Sequence, residues 1–183
     1  KCKTNVRLVA DISGSMEGAP LAQAQDALSI FVDQIKGDQE RVGLLTFDSD
    51  VNEPVPLGVL GQNRTQLHEE IQALEARGNT ALLDAVYLAY VKLQDLADAE
   101  RINAIVVMTD GRENSSEMRL ADLRRRIEAG NRQGLPIVIF CIAYGDGADM
   151  ETLEAIAQAS SGQARRGDLE TIEDLYEILS TYF

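Results

Sequence analysis

The chain has no tryptophan, a single histidine and only two cysteines among its 183 residues, and its lysines are limited to Lys1, Lys3, Lys36 and Lys92. Each scarcity removes a class of chemistry. One histidine, His68, rules out the usual nucleophile–base triads and most zinc sites; it falls in a polar stretch of helical period and reads as a surface residue. Two cysteines without patterned spacing do not make a disulfide framework. Cys141 sits in the apolar run IVIFCIA and reads as a buried core thiol, while Cys2 precedes the first strand; a bond between them, and hence the redox compartment, is left open. Aromatic residues are 5% of the chain, so no aromatic anchor for a partner surface stands out. No apolar run approaches the ~18–20 residues of a membrane span, and no signal-peptide pattern opens the chain. Neither GxGxxG nor GxxxxGK[ST] occurs, which removes the common nucleotide-binding loops.

Positive charge is also scarce. Thirty acidic against seventeen basic residues leave a formal net charge of −13, which opposes non-specific nucleic-acid binding because that needs a basic face to displace phosphate counterions. The one basic cluster, Arg124, Arg125 and Arg126, is short and lies in an acid-rich helical pattern, as a solvated helix face does.

What the chain does have is the composition of one globular domain, with 45% hydrophobic and 26% charged residues. Residues 1–183 are read as that single domain, and strand-like sequence five residues from the start suggests a piece of a longer protein. Short β-branched runs alternate with segments of helical period. Strands are expected over 6–10, 42–47, 51–57, 102–108, 137–143 and 163–166. Helices are expected over 20–36, 64–75, 81–97, 118–133, 150–159 and 172–181. Pro54 and Pro56 confine the third strand to a sheet edge, and its short connection to the second makes that pair antiparallel. The remainder specifies an α/β fold with a doubly wound, mostly parallel sheet and helices on both faces.

In such sheets ligands sit beyond the carboxyl ends of the strands, where the strand order reverses. The first strand ends on Asp11 in DISGSM, and the fourth on Thr109 and Asp110 in MTDG. Asp11, Ser13 and Ser15 form one oxygen-only group; Thr80, in GNT before a helix, and Asp110 bring two more oxygens to the same edge. Two carboxylates and three hydroxyls suit a hard cation such as Mg²⁺, with a coordination position left for a partner. Each residue also has an ordinary reading: Asp11 or Ser13 as a turn cap, Thr80 as an N-cap, Asp110–Gly111 as a tight turn. Gly14 and Gly111 would let the backbone approach an ion. Glu17, Asp48, Asp50 and Glu113 add negative charge in loops at or near this edge, and Glu17 and Glu113 are candidate site-edge residues.

The combination DISGSM, GNT and MTDG, set in β-α alternation over nearly the whole chain, resembles the von Willebrand factor A domain family and its metal-ion-dependent adhesion site, written DxSxS…T…D. The resemblance implies a Rossmann-like sheet of six strands with one antiparallel edge strand. It also implies direct coordination of Mg²⁺ (or Mn²⁺ or Ca²⁺) by Ser13 and Ser15, an Asp11 acting largely through water, and Thr80 and Asp110 exchanging direct and water-mediated roles. It suggests that the last helix, with Leu175, Ile178 and Leu179 on its packing face, can move with the ligand state. Compact loops look more like bacterial members than like animal adhesion receptors, which favours an extracytoplasmic or envelope-attached setting over a cytoplasmic one.

The function expected is therefore a non-enzymatic, monomeric, metal-dependent adhesion or interaction module, its ion bridging to a carboxylate of a protein partner, with no nucleic acid and no membrane insertion. Two alternatives stand beside it. One is a structural interaction domain with a vestigial metal site. The other is a Mg²⁺-dependent phosphoryl-transfer enzyme, which the absence of a lysine after a late strand disfavours.

Overall fold

The computed structural model describes residues 3–181. Cys2, and with it any bond to Cys141, lies outside the described residues. Six strands form one sheet: β1 (Thr4–Asp11), β2 (Arg41–Phe47), β3 (Val51–Val59), β4 (Ile102–Thr109), β5 (Ile137–Ala143) and β6 (Ala164–Arg166). Their spatial order is β3-β2-β1-β4-β5-β6, parallel throughout except for the antiparallel β2–β3 pair at one edge. Among the described residues the α-helices are α1 (Ala19–Gln34), α2 (Leu60–Gln72), α3 (Leu82–Leu96), α4 (Leu120–Gln133), α5 (Met150–Ala159) and α6 (Leu169–Ser180). This is the doubly wound sheet with one antiparallel edge strand that the sequence predicts.

The alternating side-chain directions of a strand divide the core in two. Val6, Leu8 and Ala10 of β1 pack with α1, α2 and α6 on one face. Val9 joins α3, α4 and α5 on the other. The central strands are apolar on both faces for this reason, and every residue of β1, β4 and β5 is buried. Leu175 and Leu179 of α6 lie in the α1 face and Ile178 packs partly against it, while the Gln34 amide donates to the Ile172 and Glu173 carbonyls at 2.5 and 2.6 Å. Among the described residues no helix is long and apolar enough to cross a membrane.

Several element ends differ from the sequence reading, each for a local reason. The third strand runs on to Val59 and passes directly into α2, which starts at Leu60 rather than at 64. Contacts from another segment make that junction: Leu60 N–H donates to the Glu40 carbonyl and Gly61 N–H to that of Asp38. Helix α6 begins at Leu169 rather than at 172, because Asp168 accepts the Thr171 N–H as an N-cap. Asp149 caps α5 as expected, and Gly134 ends α4. A single 3₁₀ turn, Gly14–Met16, separates β1 from α1.

Strand order reverses between β1 and β4, since β1 also pairs with β2 on its other side. Register places Ala10 beside Met108, so Asp11 and Thr109 are side by side at the carboxyl ends. The crevice that doubly wound sheets use for ligands therefore opens at these residues.

Candidate metal centre

Three loops meet above this crevice, and backbone hydrogen bonds lock them together. The loop 77–80 straps onto the loop after β1: Arg77 N–H donates to the Ile12 carbonyl at 2.7 Å and Gly14 N–H to the Gly78 carbonyl at 2.9 Å. A Cβ on Gly14 would stand 3.3 Å from that carbonyl oxygen, so the close approach favours glycine. The loop after β4 in turn grips Thr80. Asn114 and Ser115 donate their N–H groups to its carbonyl at 3.1 and 3.0 Å, and its own N–H donates to the Asn114 carboxamide oxygen at 2.8 Å.

The five candidate oxygens hang from this frame. Asp11, Ser13, Thr80 and Asp110 are buried, at 3% exposure or less, while Ser15 is exposed at the rim. Asp11 Oδ1 accepts the Ser13 N–H at 2.8 Å, and the Ser13 and Ser15 hydroxyls are 3.1 Å apart. The Asp11 turn reading is thus correct and compatible with a site, because one oxygen shapes the loop. For Thr80 the capping reading fails: α3 has Ala81 as its N-cap, with no side-chain cap from that position. Asp110 Oδ1 accepts the Arg112 N–H at 3.0 Å. Gly111 turns the chain with φ of 74°, and a Cβ there would meet the Asp149 carbonyl oxygen at 2.8 Å.

Burial dominates the electrostatics. It pushes the Asp11 carboxyl up to about 6; hydrogen bonds from Ser13 and Thr109 pull it down, and the charge of Asp110 pushes it up again. Among the described residues neither Asp11 nor Asp110 forms an ion pair with a lysine or arginine. Two buried like charges without a countercharge are costly. No group of three or more His, Cys, Asp or Glu side chains placed to hold a metal occurs among the described residues. The donor set here is two carboxylates and three hydroxyls, all hard oxygens, and it fits Mg²⁺ or Mn²⁺ rather than zinc.

Several residues have parts that the sequence did not reveal. Thr109 Oγ1 donates to Asp11 Oδ2 at 2.6 Å and accepts the Gly111 N–H at 3.0 Å, so one buried hydroxyl orients both aspartate loops. A hydroxyl residue ending a central apolar strand was the available signal. Glu113 is not a free acid at the rim: Oε2 accepts the Leu83 N–H, and Oε1 those of Ser115 and Ser116. It caps α3 from a distant loop. Glu17 is exposed beside the 3₁₀ turn and Asp50 is exposed as well. Asp48 is buried, accepting from Asp50 N–H and pairing with Arg77 Nε at 3.3 Å.

Far from the crevice the bland readings hold. His68 Nε2 lies 2.8 Å from Asp33 Oδ1 on the α1–α2 surface. Arg125 pairs with Asp122, Arg124 with Glu128, and Arg126 stacks over Tyr87.

Comparison with known proteins agrees with this architecture. Residues 5–178 match the model of the von Willebrand factor type A domain. An uncharacterised protein of Synechocystis is 28% identical over 181 residues, covering 97% of this chain and 40% of its own. The structure of a von Willebrand factor type A protein from Catenulispora acidiphila superposes with a TM-score of 0.78 at 23% identity, over 98% of this chain and 42% of that one. Manganese-loaded TRAP protein from Plasmodium vivax superposes with a TM-score of 0.72 at 17% identity, over 98% and 74% respectively. The chain thus spans well under half the length of the Synechocystis and Catenulispora proteins. With the family model matched over nearly all its residues, this chain belongs to the von Willebrand factor type A domain family.

Proposed function

We propose that the domain is a non-enzymatic, metal-dependent protein-binding module. In this reading Asp11, Ser13, Ser15, Thr80 and Asp110 hold a divalent cation, Mg²⁺ or Mn²⁺, and a partner's carboxylate completes the site. The ion supplies electrostatic attraction for that carboxylate. The chain's own residues do the rest: buried Asp11 and Asp110 provide uncompensated negative charge, Ser13 and Thr80 present neutral oxygens, and exposed Ser15 lines the entry.

The observation that carries the reading is the pair of buried aspartates at the strand-order reversal, with no cationic partner among the described residues. Manganese in the TRAP structure of the same fold supports it. A binding rather than catalytic task is favoured because the only histidine is engaged with Asp33 away from the crevice, and the loop after β4 carries no lysine.

Titration calorimetry with Mg²⁺ and with Mn²⁺ tests the site. The wild-type domain is expected to bind one ion, and Asp11→Ala to bind none while keeping its far-ultraviolet circular dichroism. Unchanged binding in a folded Asp11→Ala variant overturns the assignment.

A further inference from the structure

A domain of net charge −13 repels an acidic partner over most of its surface, so something at the landing point must offset that field. Arg77 and Arg112 stand beside the two loops' candidate oxygens, Arg77 in the loop 77–80 and Arg112 two residues past Asp110. Arg77 is already paired, its Nε 3.3 Å from the buried Asp48 carboxylate. Arg112 is different. It is exposed, and none of the ion pairs among the described residues includes it.

Arg112 is nevertheless held in place. Its backbone N–H donates to Asp110 Oδ1 at 3.0 Å, which ties its Cα to the aspartate loop. Its guanidinium Nε donates to the Gly147 carbonyl at 3.3 Å. A Cβ at Gly147 would fall 2.0 Å from Arg112 Nη2, so the glycine is what leaves room for the guanidinium to lie across the loop after β5. A guanidinium docked through Nε keeps its Nη groups for a planar oxyanion, the geometry in which arginine outperforms lysine. Two residues from Asp110, its Cα is within about 7 Å of the aspartate Cα.

We propose that Arg112 is a specificity-determining residue of the interaction surface, pairing with a second acidic group of the partner while the first sits at the cation. The partner segment would carry two carboxylates two residues apart along an extended strand, where same-face side chains are about 7 Å apart. This rests on the metal-dependent reading, and the test separates the two.

A displayed random-peptide library is selected on immobilised wild-type domain and on Arg112→Glu, each in Mg²⁺ and again in EDTA, with Arg112→Gln as the neutral control. Expected are Mg²⁺-dependent peptides bearing paired acids on wild type. Their affinity should fall tenfold or more on Arg112→Gln, and Arg112→Glu should select one acid followed by a basic residue. Mg²⁺-dependent peptides with a single acid, chosen alike by all three proteins, overturn the role of Arg112 and leave the metal site standing. Selection indifferent to EDTA overturns both.

Discussion

Replacing Thr109 by valine removes one hydroxyl and almost nothing else, and it tests how the two aspartate loops are held. The side chain is fully buried at the end of β4, where valine has the same shape and a good strand propensity. What disappears is the 2.6 Å donor to Asp11 Oδ2 and the acceptor for the Gly111 N–H. A hydrogen bond to a charged acceptor contributes about 1.5–3 kcal/mol, and an orphaned buried N–H costs about 1–3 kcal/mol. Some relaxation of the Gly111 turn lets water reach that amide, so the expected loss is about 2–4 kcal/mol. At about 2–4 °C per kcal/mol for a domain of this size, the metal-free melting temperature in EDTA should fall by roughly 5–15 °C. Thr109→Ser keeps the hydroxyl and should recover most of it. Because the same hydroxyl orients a proposed ligand, Mn²⁺ affinity should drop about ten- to a hundredfold in the valine variant and little in the serine one. Chemical denaturation in EDTA and calorimetry measure the two effects separately. Valine and serine variants both within about 1 kcal/mol of wild type would refute the account of Asp11 as a carboxylate that depends on this donor.

Other perturbations test the packing. Gly130→Ala should destabilise the fold by about 1–3 kcal/mol in urea, although alanine is favoured by about 1 kcal/mol inside a helix. Its Cβ would lie 2.3 Å from the Tyr90 hydroxyl, which accepts from Gln94 and has its one proton within reach of Asn131 Oδ1 at 2.8 Å and the Ile127 carbonyl at 3.1 Å; a net gain in stability would contradict that contact. Burial pushes the Cys141 thiol from its ordinary 9.0 up to about 12. The folded state thus favours the neutral form, and the stability it contributes is intact below pH 9 and lost as pH rises towards 12. At about 1.4 kcal/mol per pH unit this amounts to about 4 kcal/mol, with buried Tyr144 adding in the same direction. Denaturation midpoints should therefore fall steeply above pH 9, and peptide mapping should find Cys141 unalkylated by iodoacetamide at pH 8 until urea is added.

The candidate ligands were legible because donor chemistry is local. DISGSM puts a carboxylate and two hydroxyls within five residues of a strand end, and MTDG puts another carboxylate at the end of the most apolar strand. The edge position of β3 was legible too, since proline cannot donate to a ladder. Glu113 was not legible. Its spacing places an acid in a loop near the crevice, but its oxygens are taken by backbone N–H groups, among them Leu83, thirty residues away. The role of Thr109 is not legible for the same kind of reason, because its partner Asp11 is 98 residues distant.

Sequence alone therefore determined the alternation of elements, the mostly parallel sheet and the set of oxygens offered at one edge, all of which follow from periodicity, backbone restriction and side-chain chemistry. Tertiary structure decided which of those oxygens are buried without a countercharge, which acids serve as helix caps, and that Arg77 is drawn into an ion pair with Asp48 while Arg112 is docked on a backbone carbonyl. These depend on how three loops, distant in sequence, close on one another above the β1–β4 crevice. Only their convergence sets the local dielectric and uses up, or leaves free, each hydrogen-bonding group.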